Sequence, residues 1–315
     1  MTARDKKGKG DDRQGVLLDM GSPRRVDPEL RKPRHRIWTE NKAVLIQRYL
    51  QYFVYVTRCG SYVDCFTGPQ DPEKLETWAA KLVVESEPRW LQHIVLFEHD
   101  VAKIPIIEEM VASQPPRNKS KKEPKRRIEV RQGDCNVLIR ELLSSGRLNT
   151  KQATFCLLDQ HTFECEWETA RLIASHPMKQ YKIEQFYFLG SSWLDRSIAA
   201  STTAGGKAKI ARWWGSDEWS AVRSMTGLER ATVFSERFKT DLKYVSAKPW
   251  PIYDRADGGH VMYYMIHATD HPVAPGLMRR AYEKAVLPPE TMEQLDLALA
   301  QYTGRPSSDA TPRDE

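Results

Sequence analysis

Four acidic residues stand at the ends of apolar, β-prone segments, where their side chains could take part in chemistry. Asp64 lies within the segment Tyr62–Phe66, and Glu98, Asp134 and Asp159 follow three later segments of the same kind. A carboxylate in apolar surroundings must be hydrogen-bonded or paired. At the carboxyl ends of parallel strands, carboxylates can accept hydrogen bonds from the hydroxyl and amino groups of a ligand. The pattern therefore predicts a Rossmann-like site for a nucleotide or nucleoside.

The turn after the first of these segments could bring backbone close to a ligand. Thr67, Gly68 and Pro69 turn the chain sharply, and a helix is predicted over residues 72–87. Gly68 tolerates positive φ and has no side chain, so N–H groups of the turn can face a ligand. A strand, a glycine turn and a helix are the first unit of a doubly wound α/β domain.

Strands and helices alternate along most of the remaining chain. Apolar segments predict strands at 93–98, 128–131, 153–158, 183–189 and 259–268. Periodic or capped segments predict helices from Thr39, at 100–111, from Asn136 to Leu143, at 165–175 and at 274–285. Trp38 and Lys42 lie at the entrance of the first helix. They could reach a site there, although anchoring of the chain is the simpler interpretation.

The composition divides the chain into five parts. Residues 1–36 are charged and poor in periodic apolar residues, which predicts a disordered basic arm. Residues 37–190 are expected to form the Rossmann-like nucleotide-binding core, and residues 191–245 a helical insertion that contacts the substrate. Residues 246–302 are expected to return to the sheet and add closing helices. The Ser/Pro/Asp-rich residues 303–315 are expected to be a disordered tail.

The net charge of +6 is concentrated in two segments. Residues 1–36 hold eleven Lys/Arg against six Asp/Glu, and residues 112–127 hold seven against one. We expect the second segment to be a mobile loop in which Lys121, Lys122 and Arg126 contact the phosphates of a nucleic acid. The alternative is that both segments are solvated and kept for solubility.

Aromatic side chains offer a second set of candidate substrate contacts. Phe163 follows Asp159, and Trp213 and Trp214 lie in the predicted insertion close to basic residues. Aromatic rings can stack on nucleic-acid bases. Tryptophans at helical spacing also occur in hydrophobic cores, and that alternative stays open.

Several classes of protein are disfavoured by the sequence. No apolar run approaches the roughly 20 residues needed to span a bilayer, and the polar start has no secretory segment, so we expect a cytoplasmic protein without membrane contact. The five cysteines contain no C-x-x-C pair. His267, Asp270 and His271 cluster without a further ligand at metal spacing, so no metal site is predicted.

The kind of nucleotide is indicated by what the first turn lacks. The G-x-G-x-x-G fingerprint of dinucleotide sites and the Walker A loop are both absent. A single glycine followed by proline disfavours a pyrophosphate cradle, which argues against an NAD-linked oxidoreductase. A nucleoside held by carboxylates fits better, and S-adenosylmethionine is the natural candidate cofactor.

The motifs together resemble those of a known family. They read Y-V-D-C-F-T-G-P, F-E-H-D, G-D-C-N, an apolar strand that ends in Asp, and Y-Y-M-I-H-A-T-D-H-P. This set, spread over residues 38–286, is similar to that of the three-Cys-motif partner proteins, which resemble S-adenosylmethionine-dependent methyltransferases. Gln70 replaces the second glycine of the family's first motif, and Gln160-His161-Thr162 replaces the Pro-Phe-Gly or Pro-Tyr-Gly that follows the aspartate.

The resemblance implies a class I methyltransferase fold and a role for each strand-end residue. It implies Asp64 and Gly68 at the methionine end of the cofactor, Glu98 on the ribose and Asp134 near the adenine amino group. It implies Asp159 beside the methyl acceptor, where His161 could supply a new polar group. The other residues of these motifs that we assign to the cofactor are Phe66, Pro69 and Asn136.

Two functions follow as hypotheses. The first is an S-adenosylmethionine-dependent methyltransferase that acts on nucleic acid. The second is a catalytically degenerate, methyltransferase-like interaction protein that works with a partner protein, as the family name implies. The departures at Gln70 and at Gln160-His161-Thr162 are the kind of change that such a loss of turnover would leave.

Overall fold

The structure is a computed structural model that describes residues 37–119, 123–191, 193–255, 258–288 and 290–303. The predicted arm at 1–36 and the predicted tail beyond residue 303 lie outside the described residues. The strands are β1 (Ile37–Trp38), β2 (Gly60–Asp64), β3 (Leu91–Glu98), β4 (Arg127–Gln132), β5 (Thr154–Leu158), β6 (Glu184–Gly190), β7 (Ser246–Arg255) and β8 (Gly258–Thr269). The helices are α1 (Lys42–Thr57), α2 (Ala79–Glu85), α3 (Ile104–Ala112), α4 (Cys135–Ser144), α5 (Trp167–Ser175), α6 (Leu194–Ala200), α7 (Ala204–Trp214), α8 (Gly227–Thr240), α9 (Ala274–Lys284) and α10 (Met292–Thr303).

The strands form one sheet in the order β1-β7-β8-β6-β5-β2-β3-β4. β8 is antiparallel to its two neighbours, β6 and β7, and the other pairings of the described strands are parallel. The order reverses at β2, because β3 and β4 continue on one side of it and β5 on the other. The predicted doubly wound, mostly parallel α/β sheet is confirmed. In such sheets a crevice opens outside the carboxyl ends of the strands at the reversal.

Helices cover both faces of the sheet. On one face α1, α2, α3, α9 and α10 enclose a core that contains Tyr49 and Met278. On the other face α4, α5, α7 and α8 enclose a core that contains Leu138 and Phe234. Because β5 and β6 are buried on both sides, they read as continuous apolar runs, which is why the sequence predicts them well.

The segment between β6 and β7 is helical, as its composition indicates. It holds α6, α7, a 3-10 turn at Asp217–Ser224 and α8. The rings of Phe234 and Phe238 in α8 lie 5.7 Å from the ring of Tyr187 in β6. α8 therefore belongs to the helix layer on the sheet. The boundaries of a separate insertion at 191 and 245 stay a prediction.

The helix predicted over residues 72–87 is wrong for its first half. α2 begins only at Ala79, after a loop that contains one 3-10 turn at Leu75–Thr77. The indole of Trp78 is 5% exposed and donates its Nε1–H to the carbonyl of Thr67 at 2.5 Å. This buried contact fastens the loop beneath the first turn, so the loop cannot wind into a helix there.

β7 is a ten-residue strand that the sequence pattern did not predict. The strand contains Pro249 and Pro251, and a proline has no N–H group to donate in a hydrogen bond to a neighbouring strand. β1 pairs with β7 only at Ile252 and Tyr253. The first part of β7 is therefore an edge on that side of the sheet, where prolines are tolerated.

The basic segment 112–127, expected from the sequence to be a mobile loop, contains a buried acidic residue. Glu123 is 4% exposed, and its carboxylate accepts a hydrogen bond from the amide of Asn118 at 2.8 Å. The same carboxylate lies 3.6 Å from the guanidinium of Arg89, and Arg117 donates to the Glu123 carbonyl at 2.6 Å. The one acidic residue of the segment thus attaches its described part to the body of the protein.

No helix in the described ranges is both long enough and apolar enough to cross a membrane.

Candidate functional site

A cleft opens at the carboxyl ends of β2, β3, β4 and β5. It encloses about 630 Å³, which lies within the usual range for small-molecule sites. Glu98, Asp134 and Asp159 line the cleft, so three of the four predicted strand-end carboxylates meet there. The fourth, Asp64, lines a smaller adjoining cavity. The residues common to both are Phe66, Gly68, Gln70 and Asp159.

Glu98 fastens the first turn to the tip of β3. One oxygen of its carboxylate accepts from the amide of Gly68 at 2.7 Å, and the other from the amide of Asp100 at 2.8 Å. The carboxylate lines the cleft although the residue is only 8% exposed. Each carboxylate oxygen has a second lone pair, so Glu98 can still accept hydrogen bonds from the hydroxyls of a ligand.

Gly68 is required by space and not by a positive φ, which corrects the expectation from the sequence. It is not among the residues with a positive φ. A Cβ at this position would lie 2.6 Å from the Glu98 carboxylate and 2.4 Å from Cδ of Lys103. Any side chain here would push the turn away from β3. Pro69, the next residue, is buried and does not line the cleft.

Asp64 is buried at the end of β2, with 1% of its surface exposed. Its carboxylate accepts from the hydroxyl of Tyr62 at 2.7 Å and from the amide of Phe66 at 3.0 Å. Burial raises the pKa of Asp64 to about 7; the two hydrogen bonds oppose the shift, and the carboxylates of Asp159 and Glu98 add to it. Asp64 is therefore partly protonated near neutral pH.

Asp134, and not Asn136 as the sequence predicts, caps α4. Its Oδ1 accepts from the amide of Asn136 at 2.7 Å, and the exposed carboxylate lines the cleft. The side chain of Asn136 donates to the carbonyl of Glu164 at 2.8 Å and accepts from the amide of Glu166 and the hydroxyl of Thr169. These bonds join α4 to α5, and Asn136 does not line the cleft.

Asp159 forms a buried ion pair with Lys42. The ammonium lies 2.9 Å from one carboxylate oxygen and 2.8 Å from the other. It also lies 5.0 Å from the ring centroids of Phe188 and Tyr263. The sequence indicated Lys42 only as a residue that could anchor the chain or reach a site. The structure shows that one contact does both, because α1 is fastened to the tip of β5.

The loop after Asp159 has its own internal bonding. Gln160 is buried, donates to the carbonyl of Phe188 at 3.1 Å and accepts from the amide of Cys165 at 3.0 Å. His161 is exposed, lines the cleft and stacks on Trp193 with ring centroids 5.0 Å apart. The Trp193 indole donates to the His161 carbonyl at 3.0 Å. Gln160 thus fixes the loop after Asp159 through two hydrogen bonds of its side chain.

The three aromatic residues proposed as base-stacking groups are core residues. Trp213 is fully buried, and Phe163 and Trp214 are 5% and 8% exposed. The ring of Phe163 packs on Trp213 at 5.1 Å, and the guanidinium of Arg237 covers Trp214 at 4.5 Å. Their faces are occupied by neighbouring side chains, so the stacking role predicted for them is wrong.

Three basic residues of the segment 112–127 are predicted to contact phosphates. Lys121 and Lys122 lie outside the described residues. Arg126 is half-buried, donates to the carbonyl of Val84 at 3.0 Å, and has its pKa lowered to about 10 by burial and by the nearby Arg89. Arg126 is therefore a packing residue and is not displayed for a phosphate.

Among the residues that line the cleft and that the sequence did not assign to the site, three lie far from the predicted motifs or carry a polar group from another element. They are Lys103 in the 3-10 turn after β3, Lys209 in α7 and Tyr263 in β8. They come from distant parts of the chain, and no local motif marks them. Lys42, which contacts Asp159, differs from these three, because the sequence indicated it as a charged residue at the entrance of α1.

The described residues contain no group of three or more His, Cys, Asp or Glu side chains arranged to hold a metal ion. Cys65 and Cys135 line the cleft, but burial raises the pKa of both thiols. A thiol that stays protonated is a poor nucleophile. The two thiols are therefore poor candidates for the chemistry of the cleft.

The sheet decides the fold class. From β4 to β7 the core runs β4-β3-β2-β5-β6-β8-β7, and only β8 is antiparallel. This strand order, with one antiparallel strand in the second-to-last position, is characteristic of one fold class. The chain has a class I methyltransferase fold.

Several solved structures are similar to this chain at low sequence identity. A DUF574 family protein from Streptomyces avermitilis is 14% identical over 73% of this chain and 83% of its own, with a TM-score of 0.40. A DUF519 protein from Legionella pneumophila is 8% identical over 80% and 93%, with a TM-score of 0.41. The small RNA methyltransferase HEN1 is 11% identical over 75% of this chain and 27% of its own, with a TM-score of 0.38. No protein-family model and no curated protein matches the sequence.

Proposed function

We propose that the protein is an S-adenosylmethionine-dependent methyltransferase that acts on nucleic acid. The observation that carries the proposal is one cleft at the strand reversal, lined by Glu98, Asp134 and Asp159, with Gly68 pressed against Glu98. Carboxylates placed in this way suit a nucleoside with hydroxyl and amino groups.

The residues of the cleft fit the cofactor. A Cβ at Gly68 would fill the space between Glu98 and Lys103, so this turn is shaped for close approach. Glu98 would hold the ribose hydroxyls, Asp134 the adenine amino group, and the turn at Gly68 the methionine end. When bound, the cofactor supplies an activated methyl group. The chain supplies orientation, which is the main demand of methyl transfer.

Basic side chains at the cleft support a polyanionic substrate. Lys103 and Lys209 line it, and Lys207 lies exposed on the same helix as Lys209. α7 therefore presents lysines at the rim, near the loop of Asp159 and His161. Ammonium groups at such a rim attract phosphates without choosing a sequence.

The alternative is a degenerate methyltransferase-like protein that works with a partner protein, as in the three-Cys-motif partner family that the sequence resembles. One observation favours it: both oxygens of Asp159 already lie within 2.9 Å of the Lys42 ammonium. Gln70, exposed at the mouth of the cleft where that family has glycine, is a second.

Transfer of a labelled methyl group separates the two functions. Purified protein is incubated with S-adenosylmethionine labelled in its methyl group and with RNA or DNA, and the label retained on each polymer is counted. An active methyltransferase should leave label on a nucleic acid, and Asp159→Asn should lose this activity. Cofactor binding without label on any nucleic acid would contradict the proposed activity and favour the alternative.

A further inference from the structure

We propose that the acceptor atom is a hydroxyl oxygen of ribose, held by Lys42 and Asp159, and not an exocyclic nitrogen of a base. The inference rests on the proposed function and names the substrate group of the same site. It makes RNA, and not DNA, the substrate.

The pair is a fixed part of the site. Lys42 lines the cavity that adjoins the cleft, and Asp159 lines both. The two side chains are 4% and 10% exposed, and each oxygen of Asp159 lies within 2.9 Å of the ammonium. An ion pair this well buried is screened little by solvent, so the ammonium keeps its place beside the carboxylate.

A lysine ammonium has three N–H donors and no acceptor. One donor of Lys42 bonds to an oxygen of Asp159 at 2.9 Å, and the other oxygen lies 2.8 Å from the ammonium. A donor that Asp159 does not take can bond to an atom that offers a lone pair. A group that enters beside Asp159 therefore meets a donor and an acceptor together.

This requirement distinguishes oxygen from nitrogen. The nitrogen of an amino group has one lone pair, which must form the new bond to carbon, so a hydrogen bond from Lys42 would block its reaction. A hydroxyl oxygen has two lone pairs. It can accept from Lys42 with one, attack with the other, and donate its hydrogen to Asp159.

The step balances with these groups. The hydroxyl oxygen forms a bond to the methyl carbon while the bond from that carbon to sulfur breaks, and sulfur keeps the electron pair. The hydroxyl proton passes to the carboxylate of Asp159, which is paired with Lys42, and from there to water in the cleft. Lys42 contacts the reacting oxygen in this step and holds it in place.

The product shows which atom is methylated. RNA and DNA of one sequence are incubated with protein and S-adenosylmethionine, digested to nucleosides and analysed by mass spectrometry. We expect ribose-methylated nucleosides from RNA and no product from DNA. Methylated bases without ribose methylation would overturn this inference and leave the proposed function intact. No product from either polymer would overturn both.

A binding experiment without cofactor tests the pair separately from turnover. The affinity for RNA and for the same RNA with every 2′-hydroxyl methylated is measured by fluorescence anisotropy, for wild type, Lys42→Met and Lys42→Arg. Wild type should prefer the free hydroxyls by about two- to tenfold, the effect of one hydrogen bond. Lys42→Met should reduce this ratio, and Lys42→Arg, which keeps a charged donor, should restore part of it.

Lys81→Met is the matched control, because Lys81 pairs with Glu85 on the surface of α2 and lines neither cavity. It should leave the ratio unchanged. An equal ratio in wild type and Lys42→Met, with both proteins folded by circular dichroism, would contradict the role of Lys42.

Discussion

The amide of Gly68 donates to the carboxylate of Glu98 at 2.7 Å, so the first turn of the fold is built on the tip of the neighbouring strand. A Cβ on Gly68 would lie 2.6 Å from that carboxylate. The turn and the candidate ribose-binding carboxylate are thus one unit. A change in either one must disturb the other.

We therefore predict that Gly68→Ala lowers the free energy of unfolding by about 1–3 kcal/mol, the usual effect of overpacking. It should also weaken cofactor binding, because the turn must move. Gly205→Ala is the control, since a Cβ at that position in α7 meets no atom within 4 Å. Urea denaturation of both variants checks this; equal stabilities of Gly68→Ala and wild type would contradict the close approach.

The raised pKa of Asp64 predicts that the stability of the folded protein depends on pH. Its pKa is raised by burial to about 7 in the folded protein, against about 3.9 in an unfolded chain. The folded state therefore holds the proton more tightly. The stabilising contribution of protonated Asp64 to the free energy of unfolding is fully present below about pH 4. It is lost as the pH rises to about 7.

The measurement is urea denaturation of wild type and Asp64→Asn at several pH values. Asn carries no charge, so the stability of Asp64→Asn relative to wild type should increase between pH 4 and pH 7 and then level off. Asp217→Asn, which changes an exposed carboxylate, should show no such trend. A constant difference between Asp64→Asn and wild type would show that Asp64 does not titrate in this range.

The Lys42–Asp159 pair predicts a strong energetic coupling. Asp159→Asn leaves a buried ammonium without its counter-charge and should cost about 3–5 kcal/mol. The double variant Lys42→Met, Asp159→Leu should cost much less than the sum of the single variants. Lys81→Met breaks an exposed pair and should change stability by about 0.5 kcal/mol or less. Additive single-variant effects in a double-mutant cycle would mean that the pair is not formed.

The burial of Glu123 predicts that the basic segment resists cleavage by trypsin. Its buried carboxylate holds the amide of Asn118 and lies near Arg89. Glu123→Gln should loosen the segment and speed cleavage after Arg117 and Lys125, read by mass spectrometry. Glu76→Gln, at an exposed position, is the control. Equal cleavage rates in both variants would mean that Glu123 does not hold the segment in place.

The positions of most of the strands and of the strand-end carboxylates could be predicted from the sequence, although β1 and β7 were not. β5 and β6 are buried on both faces, so local apolarity was sufficient to find them. Since parallel strands end at one edge of a sheet, it followed that Glu98, Asp134 and Asp159 would converge. The character of Asp64 as a buried, hydrogen-bonded carboxylate followed from its apolar neighbours.

Features that depend on distant contacts could not be predicted. Lys42 and Asp159 are 117 residues apart, and no local pattern joins them. The start of α2 depends on a bond from Trp78 to Thr67, and the burial of Trp213 depends on α8. In each case a tertiary contact outweighs the local preference on which the prediction was based.

The most direct test of the account is a calorimetric titration of the protein with S-adenosylmethionine and S-adenosylhomocysteine, beside Glu98→Gln and the exposed control Glu108→Gln. Wild type and the control should bind, and at a hundredfold excess over the dissociation constant the ligand should add about 2.7 kcal/mol of apparent stability. Glu98→Gln should bind at least about tenfold more weakly, because a charged acceptor is lost. Absence of binding by wild type to both ligands would contradict the account.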